Sequence, residues 1–297
     1  MRKEKFMDNQ TKLVFLGTGT PNPVPERSGP GVAVIVGERA YLIDSGVGIV
    51  RRAAEAKRLG IDALEAKKLS RCFLTHLHSD HTIGLTDLIF TPWVLERKAP
   101  LTLIGPAGTK NMAEHILAAY EEDILARRDG LEQANTTGYQ VSCKEISEDG
   151  LVYEDELVKV SAFAVNHPPF KAYGYKFTTP DKTIVISGDT TPCDNLLAHA
   201  KGCDVLVHEV YSSTGIKRRT PKWHKYHTSV HTSSIDLGKI ANKVGAKQLI
   251  LYHQLFMIDE NEASTLENLC LREAEMIAQI KENFSGEVFS ACDLDIF

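Results

Sequence analysis

The chain has 297 residues, of which 43% are hydrophobic, so it is long enough to bury a substantial core. Its 34 basic and 39 acidic residues give a formal net charge of −5, which argues against a protein that binds nucleic acid mainly through overall positive charge. No apolar stretch has the length of a signal-peptide core or of a membrane span, so we expect a soluble cytoplasmic protein.

The first part of the chain alternates short apolar runs with amphipathic segments. Runs rich in Val, Ile and Leu predict strands at 13–16, 32–36, 40–44 and 71–75. A helical pattern at 47–59 stops at Gly60, and another follows at 82–90. This alternation predicts a layered α/β fold.

The second part of the chain has the same alternation without repeating the sequence. Strands are predicted at 157–165, 173–178, 183–187, 205–207 and 249–252, and helices at 232–243 and 265–281. Between the two parts, 109–133 has apolar residues at helical spacing and is a candidate cap for a site. Because no repeat or flexible linker separates the parts, we expect one domain over 1–297.

The cysteines indicate a reducing environment. The chain has six of them at scattered positions, and none forms a CxxC pair. This pattern suggests neither a zinc knuckle nor a disulfide framework. Reduced thiols, mostly in the core, are therefore expected.

The hexapeptide HLHSDH at 76–81 lies between a predicted strand and a predicted helix. In an extended chain His76 and His78 point the same way, and a tightening turn brings Asp80 and His81 to a second metal position. Three imidazoles and a carboxylate suit Zn²⁺, and suit Mn²⁺ or Fe²⁺ less well. The alternative, a charged solvated loop, predicts neither the apolar strand before the hexapeptide nor the helix after it.

Further polar residues follow predicted strands, where the binding residues of α/β folds collect. His167, Asp189 and His253 each come shortly after such a strand. Alone, each is more simply a capping or hydrogen-bonded residue. Together with the hexapeptide they complete a predicted ligand set for two metal ions.

This arrangement resembles the metallo-β-lactamase superfamily, whose fold is a four-layered αββα sandwich with the metals at one edge. The resemblance covers nearly the whole chain. It implies two ligand groups and a bridge between them: His76, His78 and His167; Asp80, His81 and His253; and Asp189. It also implies that the two divalent ions, zinc or alternatively manganese or iron, activate water against an ester. Asp44 is either a turn residue or a partner that orients a ligand histidine.

Within the superfamily the chain resembles the ribonuclease Z and bacterial arylsulfatase branch. The segments that carry this resemblance are LGTGTP at 16–21, LIDSG at 42–46, His208-Glu209 and HTS at 231–233. The resemblance implies that Glu209 orients His231 for protonation of the leaving group, and that Asp80 helps to orient the attacking water. Because LGTGTP lacks the Lys-Ser/Thr ending of a P-loop, we interpret it as a sharp turn and not as a phosphate cradle.

Departures from the ribonuclease Z pattern bear on the substrate. That family usually inserts a long tRNA-clamping arm between its third and fourth metal motifs, whereas only a short strand pair is predicted between His167 and Asp189. Its basic loop after the first glycines is replaced by PERSGP at 25–30, and DSGVG at 44–48 lacks the usual acidic residue. These departures make tRNA processing doubtful and disfavour nucleic acid as the substrate.

A segment rich in histidine and aromatic residues is predicted to form a substrate wall, and it contains His208, Glu209, Trp223, His224, Tyr226, His227 and His231. The adjoining basic run at 217–222 either attracts an anionic substrate or is a solvated loop. On the first alternative we predict a small anionic substrate, a phosphodiester or a sulfate ester. The roles of His224 and His227 are open between the wall and a surface loop.

Three alternative functions remain open. They are a tRNA 3′-processing endoribonuclease, a lactone or carboxyl-ester hydrolase, and an iron-dependent redox enzyme of the same fold. The sequence argues against a flavodiiron enzyme, which has a carboxylate where this chain has His78. A non-catalytic metal-binding protein would be expected to have lost ligands, and none of the seven is missing. Related proteins often pair, which leaves a homodimer as an open expectation.

Overall fold

The computed structural model describes residues 10–258 and 265–297, and it contains two mixed β-sheets. The first sheet has six strands, which neighbour one another in chain order: β1 (Lys12–Gly17), β2 (Gly31–Val36), β3 (Arg39–Ile43), β4 (Arg71–Phe73), β5 (Leu101–Gly105) and β6 (Val141–Glu145). Strands β1 to β3 pair in antiparallel fashion, and β3 to β6 pair in parallel.

The second sheet has seven strands, again neighbours in chain order: β7 (Gly150–Glu154), β8 (Lys159–Val165), β9 (Ala172–Thr178), β10 (Thr183–Ile186), β11 (Val205–Tyr211), β12 (Gln248–Leu255) and β13 (Glu287–Ser290). Strands β8 and β10 are both antiparallel to β9, and β10 to β13 are parallel. Strands β8, β10, β11 and β12 therefore all point to one edge of the sheet. Residues that follow these strands meet at that edge.

Helices flank both sheets. Their bounds are α1 (Ile49–Arg58), α2 (Ser79–Thr82), α3 (Leu85–Val94), α4 (Thr109–Ala119), α5 (Glu121–Asp129), α6 (Asp194–Ala200), α7 (Pro221–Val230), α8 (Ser234–Val244) and α9 (Leu266–Lys281). In the described ranges, no helix combines the length and apolar character needed to cross a membrane.

Alternating side chains of the strands build three apolar layers. In β1, Leu13 and Phe15 join the cluster between the sheets, whereas Val14 and Leu16 join the cluster under α1 and α3. This alternation follows from the two-residue period of a strand, because both faces of each sheet are buried. A third cluster joins the second sheet to α6, α8 and α9. The result is the predicted four-layered αββα sandwich.

Two expectations from the sequence need correction. The segment at 109–133 forms α4 and α5, and it packs Ala113 and Ile124 into the first core instead of capping the site. All six cysteines are free thiols within the described part of the chain, as expected, but only Cys72 and Cys203 are buried.

Candidate metal centre

The hexapeptide 76–81 forms the corner between β4 and α2. His78 is extended (φ −64°, ψ 149°) directly before α2, so the chain turns between His78 and His81. The Nδ1 atom of His78 lies 2.8 Å from His76 Nε2 and 3.1 Å from His167 Nε2. Ligands about 2.0–2.1 Å from a tetrahedral zinc ion lie about 3.3 Å apart, so the spacing of these three nitrogens suits one cation.

A second group of ligand atoms lies beside the first. Asp80 Oδ2 is 3.3 Å from His253 Nε2 and 3.5 Å from His81 Nε2. Asp189 Oδ2 is 3.6 Å from both of these imidazole nitrogens and 4.0 Å from His76 Nε2. Asp189 therefore lies between the two groups. The structure thus brings all seven predicted ligand residues close together.

The imidazoles are oriented by hydrogen bonds on the side away from the centre. His81 Nδ1 lies 2.8 Å from Asp44 Oδ2, and His167 Nδ1 donates to the Val230 carbonyl at 2.8 Å. Asp44 also accepts from the backbone amide of Thr75 at 2.8 Å, and Thr75 Oγ1 lies 3.0 Å from His76 Nδ1. Occupying one ring nitrogen directs the other toward a cation. Asp44 has φ 63°, so it is both a turn residue and an orienting partner.

The sequence analysis placed His253 after the end of a strand, but His253 lies inside β12. Tyr252 pairs with Glu209 and Gln254 pairs with Val210, so His253 is the extra residue of a β-bulge. Its φ of 45° is uncommon for a residue with a side chain. Such bulges re-aim a side chain beside functional sites.

The strand beyond this bulge is held from two sides. Arg27 Nη1 donates to Gln254 Oε1 at 2.8 Å, and Gln254 Nε2 donates to the Ala291 carbonyl at 3.0 Å. Arg27 belongs to the segment 25–30, whose role the sequence did not reveal. These bonds fix the backbone directly after His253.

The electrostatics of the centre favour a bound cation. Burial lowers the pKa of His76 well below its usual value, so its imidazole is neutral. Burial opposes ionisation of Asp189, but the neighbouring imidazoles of His253 and His81 hold its pKa well below the ordinary range. Within residues 10–258 and 265–297, the buried atoms His81 Nε2 and Asp189 Oδ1 have no hydrogen-bond partner. Buried polar groups without partners are costly, and a divalent cation would satisfy this imidazole and carboxylate set.

Glu209 and His231 also reach the centre. His231 Nδ1 lies 3.3 Å from Glu209 Oε1 and 3.8 Å from Asp189 Oδ2, yet it makes no hydrogen bond with any described residue. Glu209 Oε1 instead accepts from the backbone amides of Thr190 and Thr232. Burial and the charge of Asp189 raise the pKa of Glu209 well above its usual value. Glu209 and His231 are within ion-pair distance, and the orienting role of Glu209 stays a prediction.

A cavity of about 630 Å³ opens over the centre. Its lining comprises Pro21, Asn22, His78, Ser79, Asp80, Asp189, Arg219, Lys222, Trp223, Tyr226, His227, His231, His253, Leu255 and Met257. Most of the predicted wall is thus present, and it is supplied by α7, which the sequence did not predict as a helix. His208 is instead buried within β11, and His224 is exposed on α7 outside the lining. Of the basic run, Arg219 and Lys222 line the cavity.

Some contributors were missed by sequence reasoning. The Phe170 ring lies 4.4 Å from the His78 ring. On the side away from the centre, Thr75 contacts His76, and the Val230 carbonyl accepts a hydrogen bond from His167. A Thr before the hexapeptide offered a weak signal, because a hydroxyl at that position can bond a ring nitrogen. The carbonyl of Val230 offered none.

Comparisons with known proteins identify the family of the chain. The family described as beta-lactamase superfamily domain matches residues 39–254, a range that contains all seven candidate ligands. Ribonuclease Z of Mycobacterium bovis (strain BCG / Pasteur 1173P2) is 33% identical over 249 residues, which cover 82% of this chain and 85% of that protein. Ribonuclease Z of Mycobacterium sp. (strain KMS) is 34% identical over 254 residues, with coverage of 82% and 84%.

Solved structures share the fold. The metallo-beta-lactamase fold protein YhfI from Bacillus subtilis has a TM-score of 0.72 at 18% identity and covers 97% of this chain and 98% of that one. The short form of human tRNase Z has a TM-score of 0.69 at 21% identity, with coverage of 96% and 98%. At these identities the likeness is one of fold alone. The family match and the relatives above 30% identity show that the chain is a metal-dependent hydrolase of the metallo-β-lactamase superfamily and belongs to its ribonuclease Z branch.

Proposed function

We propose that the chain is a binuclear phosphodiesterase that cleaves RNA, with precursor tRNA as its substrate class. The observation that carries this proposal is a ligand set for two ions on the floor of a cavity whose wall combines aromatic and basic side chains. Aromatic rings stack on bases, and cations attract the phosphates between them. The relatives named ribonuclease Z favour this substrate over the sulfate ester that the sequence analysis predicted from the basic run at 217–222.

The proposed ligands fall into two groups of three whose ligand atoms lie within 4.8 Å of one another: His76, His78 and His167, and Asp80, His81 and His253. Asp189 would contact both ions. When bound, a pair of divalent ions makes water nucleophilic near neutral pH and stabilises charge on the phosphoryl oxygens. The identity of the ions is proposed to be zinc, because imidazole nitrogens form the larger part of the set.

The side chains around the cavity would do the remaining work. Asp80 borders the cavity with an 11% exposed side chain, and its carboxylate can accept a hydrogen bond from the attacking water. His231 lines the same cavity and is the candidate proton donor to the leaving oxygen. Burial lowers the pKa of His231 to about 4, whereas the negative charge of a bound phosphodiester favours the protonated imidazole.

A small anionic ester is the second candidate substrate. The observation in its favour is the short connection between the candidate ligands His167 and Asp189. That connection consists mainly of the hairpin of β9 and β10 and has no room for a long RNA-clamping arm. Under the main proposal, contacts with RNA must therefore come from the side of the cavity formed by α7.

Cleavage assays with the zinc-loaded and manganese-loaded chain test this proposal. The substrates are a precursor tRNA with a 3′ trailer, bis(4-nitrophenyl) phosphate, 4-nitrophenyl sulfate and a lactone. We expect release of the trailer and hydrolysis of the phosphodiester. Hydrolysis of the sulfate or the lactone without cleavage of either phosphodiester would reject the proposal. Elemental analysis of the purified chain accompanies the assays, because stoichiometric iron would support the redox alternative.

A further inference from the structure

A ladder of stacked rings runs from the candidate metal centre to solvent. Trp223, His227 and His231 are spaced by four residues, so they lie on one face of α7 and its C-terminal end. The ring centroids are 5.8 Å apart from Trp223 to His227, 5.8 Å from His227 to His231 and 5.9 Å from His231 to His253. Each pair is inclined by 28°, so the rings are close to parallel. The ladder therefore extends along the cavity wall from His253 to Trp223.

Trp223, at the outer end of this ladder, is exposed although it is aromatic, and so is the neighbouring Tyr226. His253 is 1% exposed and His231 6% exposed, whereas Trp223 is 47% exposed and Tyr226 40% exposed. Both outer residues line the cavity, and their rings meet edge to face at 5.8 Å. Neither ring is needed to fill an apolar core cluster. Adjacent exposed aromatic side chains in a cavity wall indicate a ligand that covers them.

Cationic groups flank the exposed aromatic pair. The Lys222 ammonium lies 5.5 Å from the centre of the Trp223 ring. Arg219 donates from Nη2 to the Ile258 carbonyl at 3.0 Å, which anchors its guanidinium in the wall. Its Nε atom is buried and has no hydrogen-bond partner in the described part of the chain. Because Arg219 also lines the cavity, its positive charge would attract an anionic ligand oxygen.

We infer that Trp223, Tyr226 and Arg219 form a nucleobase-stacking subsite for a nucleotide near the scissile phosphate. This inference rests on the proposed function and names the part of the cavity that selects RNA. Stacking faces with adjacent cations bind bases and phosphates of single strands without reading the base sequence. Three ring spacings separate Trp223 from His253, so the stacked base would lie within a few nucleotides of the reacting phosphate.

Tryptophan fluorescence provides a test that needs no turnover. The chain has two tryptophans, and Trp93 is buried with its Nε1 bonded to the Asn135 carbonyl, so only Trp223 can meet a ligand directly. Titration with a short oligoadenylate should quench the fluorescence of the wild type, and Trp223→Phe should abolish the quenching. An abasic oligomer of equal length should quench little. Equal quenching in Trp223→Phe, or equal quenching by the abasic oligomer, would overturn the subsite.

Kinetics with RNA provide a second test. Trp223→Ala should raise KM for RNA by about tenfold, because one base–aromatic stack contributes roughly 1–3 kcal/mol and 1.4 kcal/mol corresponds to a factor of ten. The value of kcat should change little, and Trp223→Phe should restore much of the affinity. His224→Ala is the matched control, because His224 is an exposed ring on the same helix outside the cavity lining.

The two proposals fail in different ways. If the wild type cleaves RNA and Trp223→Ala keeps the wild-type KM, the subsite is rejected while the proposed function stands. If oligoadenylate quenches Trp223 but no RNA is cleaved under any metal condition, the proposed function is rejected while the subsite stands.

Discussion

The candidate metal centre and the α7 wall adjoin one cavity, but they are built in different ways. The centre comes from strand ends and a bulge, its imidazoles other than that of His78 are buried, and outer hydrogen bonds such as His81 to Asp44 hold the rings. On α7 only Val230 is buried, and Trp223 and Tyr226 project into the cavity. Under the proposed function, the chemistry belongs to the sheet edge and the choice of substrate to an exposed helix, as expected for a fold that hosts many functions.

The largest effect should follow from a change in the centre itself. Asp189→Asn keeps the shape of the side chain but removes the charge between the two ligand groups. We expect turnover to fall by about a thousandfold or more, because the bound ions supply several kcal/mol of charge stabilisation, and we expect the metal content to drop. Metal content is measured by mass spectrometry. The exposed Asp194→Asn is the control. Near-normal turnover of Asp189→Asn with two ions retained would contradict the claim that the centre needs the charge of Asp189.

His231 lies where the candidate metal centre meets the α7 wall. Its replacement therefore tests whether His231 binds a metal ion or donates a proton to the leaving group. His231→Ala should lower turnover by about a hundredfold or more while the metal content stays intact, because a positioned proton donor typically contributes 10²–10⁴-fold. The measurement combines steady-state kinetics with elemental analysis. Loss of an ion would move His231 into the ligand set, and unchanged turnover would remove it from the chemistry.

Asp44 tests whether the outer hydrogen bonds hold the centre in place. Asp44→Asn should weaken metal binding by about 10- to 100-fold, because partners of ligand histidines commonly have that effect. Turnover at saturating metal should recover in large part. Competition with a chromogenic chelator measures the affinity, and Asp62→Asn on the surface serves as the control. Wild-type affinity in Asp44→Asn would show that the centre does not depend on this bond.

The smallest effect should come from the wall. Lys222→Ala should raise KM for RNA a few-fold without changing kcat, and it should reduce the slope of log KM against log salt concentration by about one unit, because one phosphate contact is lost. Assays over a range of salt concentrations measure this slope. A fall in kcat with an unchanged slope would contradict the assignment of α7 to substrate binding.

The two regions also differ in how far the sequence predicted them. The hexapeptide was predictable because strand, turn and helix are consecutive and each has a local pattern. His167 and Asp189 were predictable from their places after strands. His253 was placed after a strand and not within one, because the bulge in β12 depends on its register with β11, which is a non-local property.

The wall was harder to predict, because α7 has few apolar residues and Val230 alone is buried. Its residue types indicated a substrate wall, but its helical form and the ring ladder did not follow from hydrophobic periodicity. The bond from His167 to the Val230 carbonyl joins residues 63 positions apart and involves backbone atoms, so no side-chain pattern reports it. The bonds from the backbone amides of Thr190 and Thr232 to Glu209 were likewise not predictable, because they join residues distant in the sequence.

The central claim is that side chains distant in sequence bind two divalent ions at the sheet edge. The most direct test is a crystal structure of the chain grown with zinc, with the ions located by anomalous scattering. We predict one ion held by His76, His78 and His167 and a second held by Asp80, His81 and His253, with Asp189 touching both. A chain that binds no ion, or that binds ions only through other residues, would contradict the account.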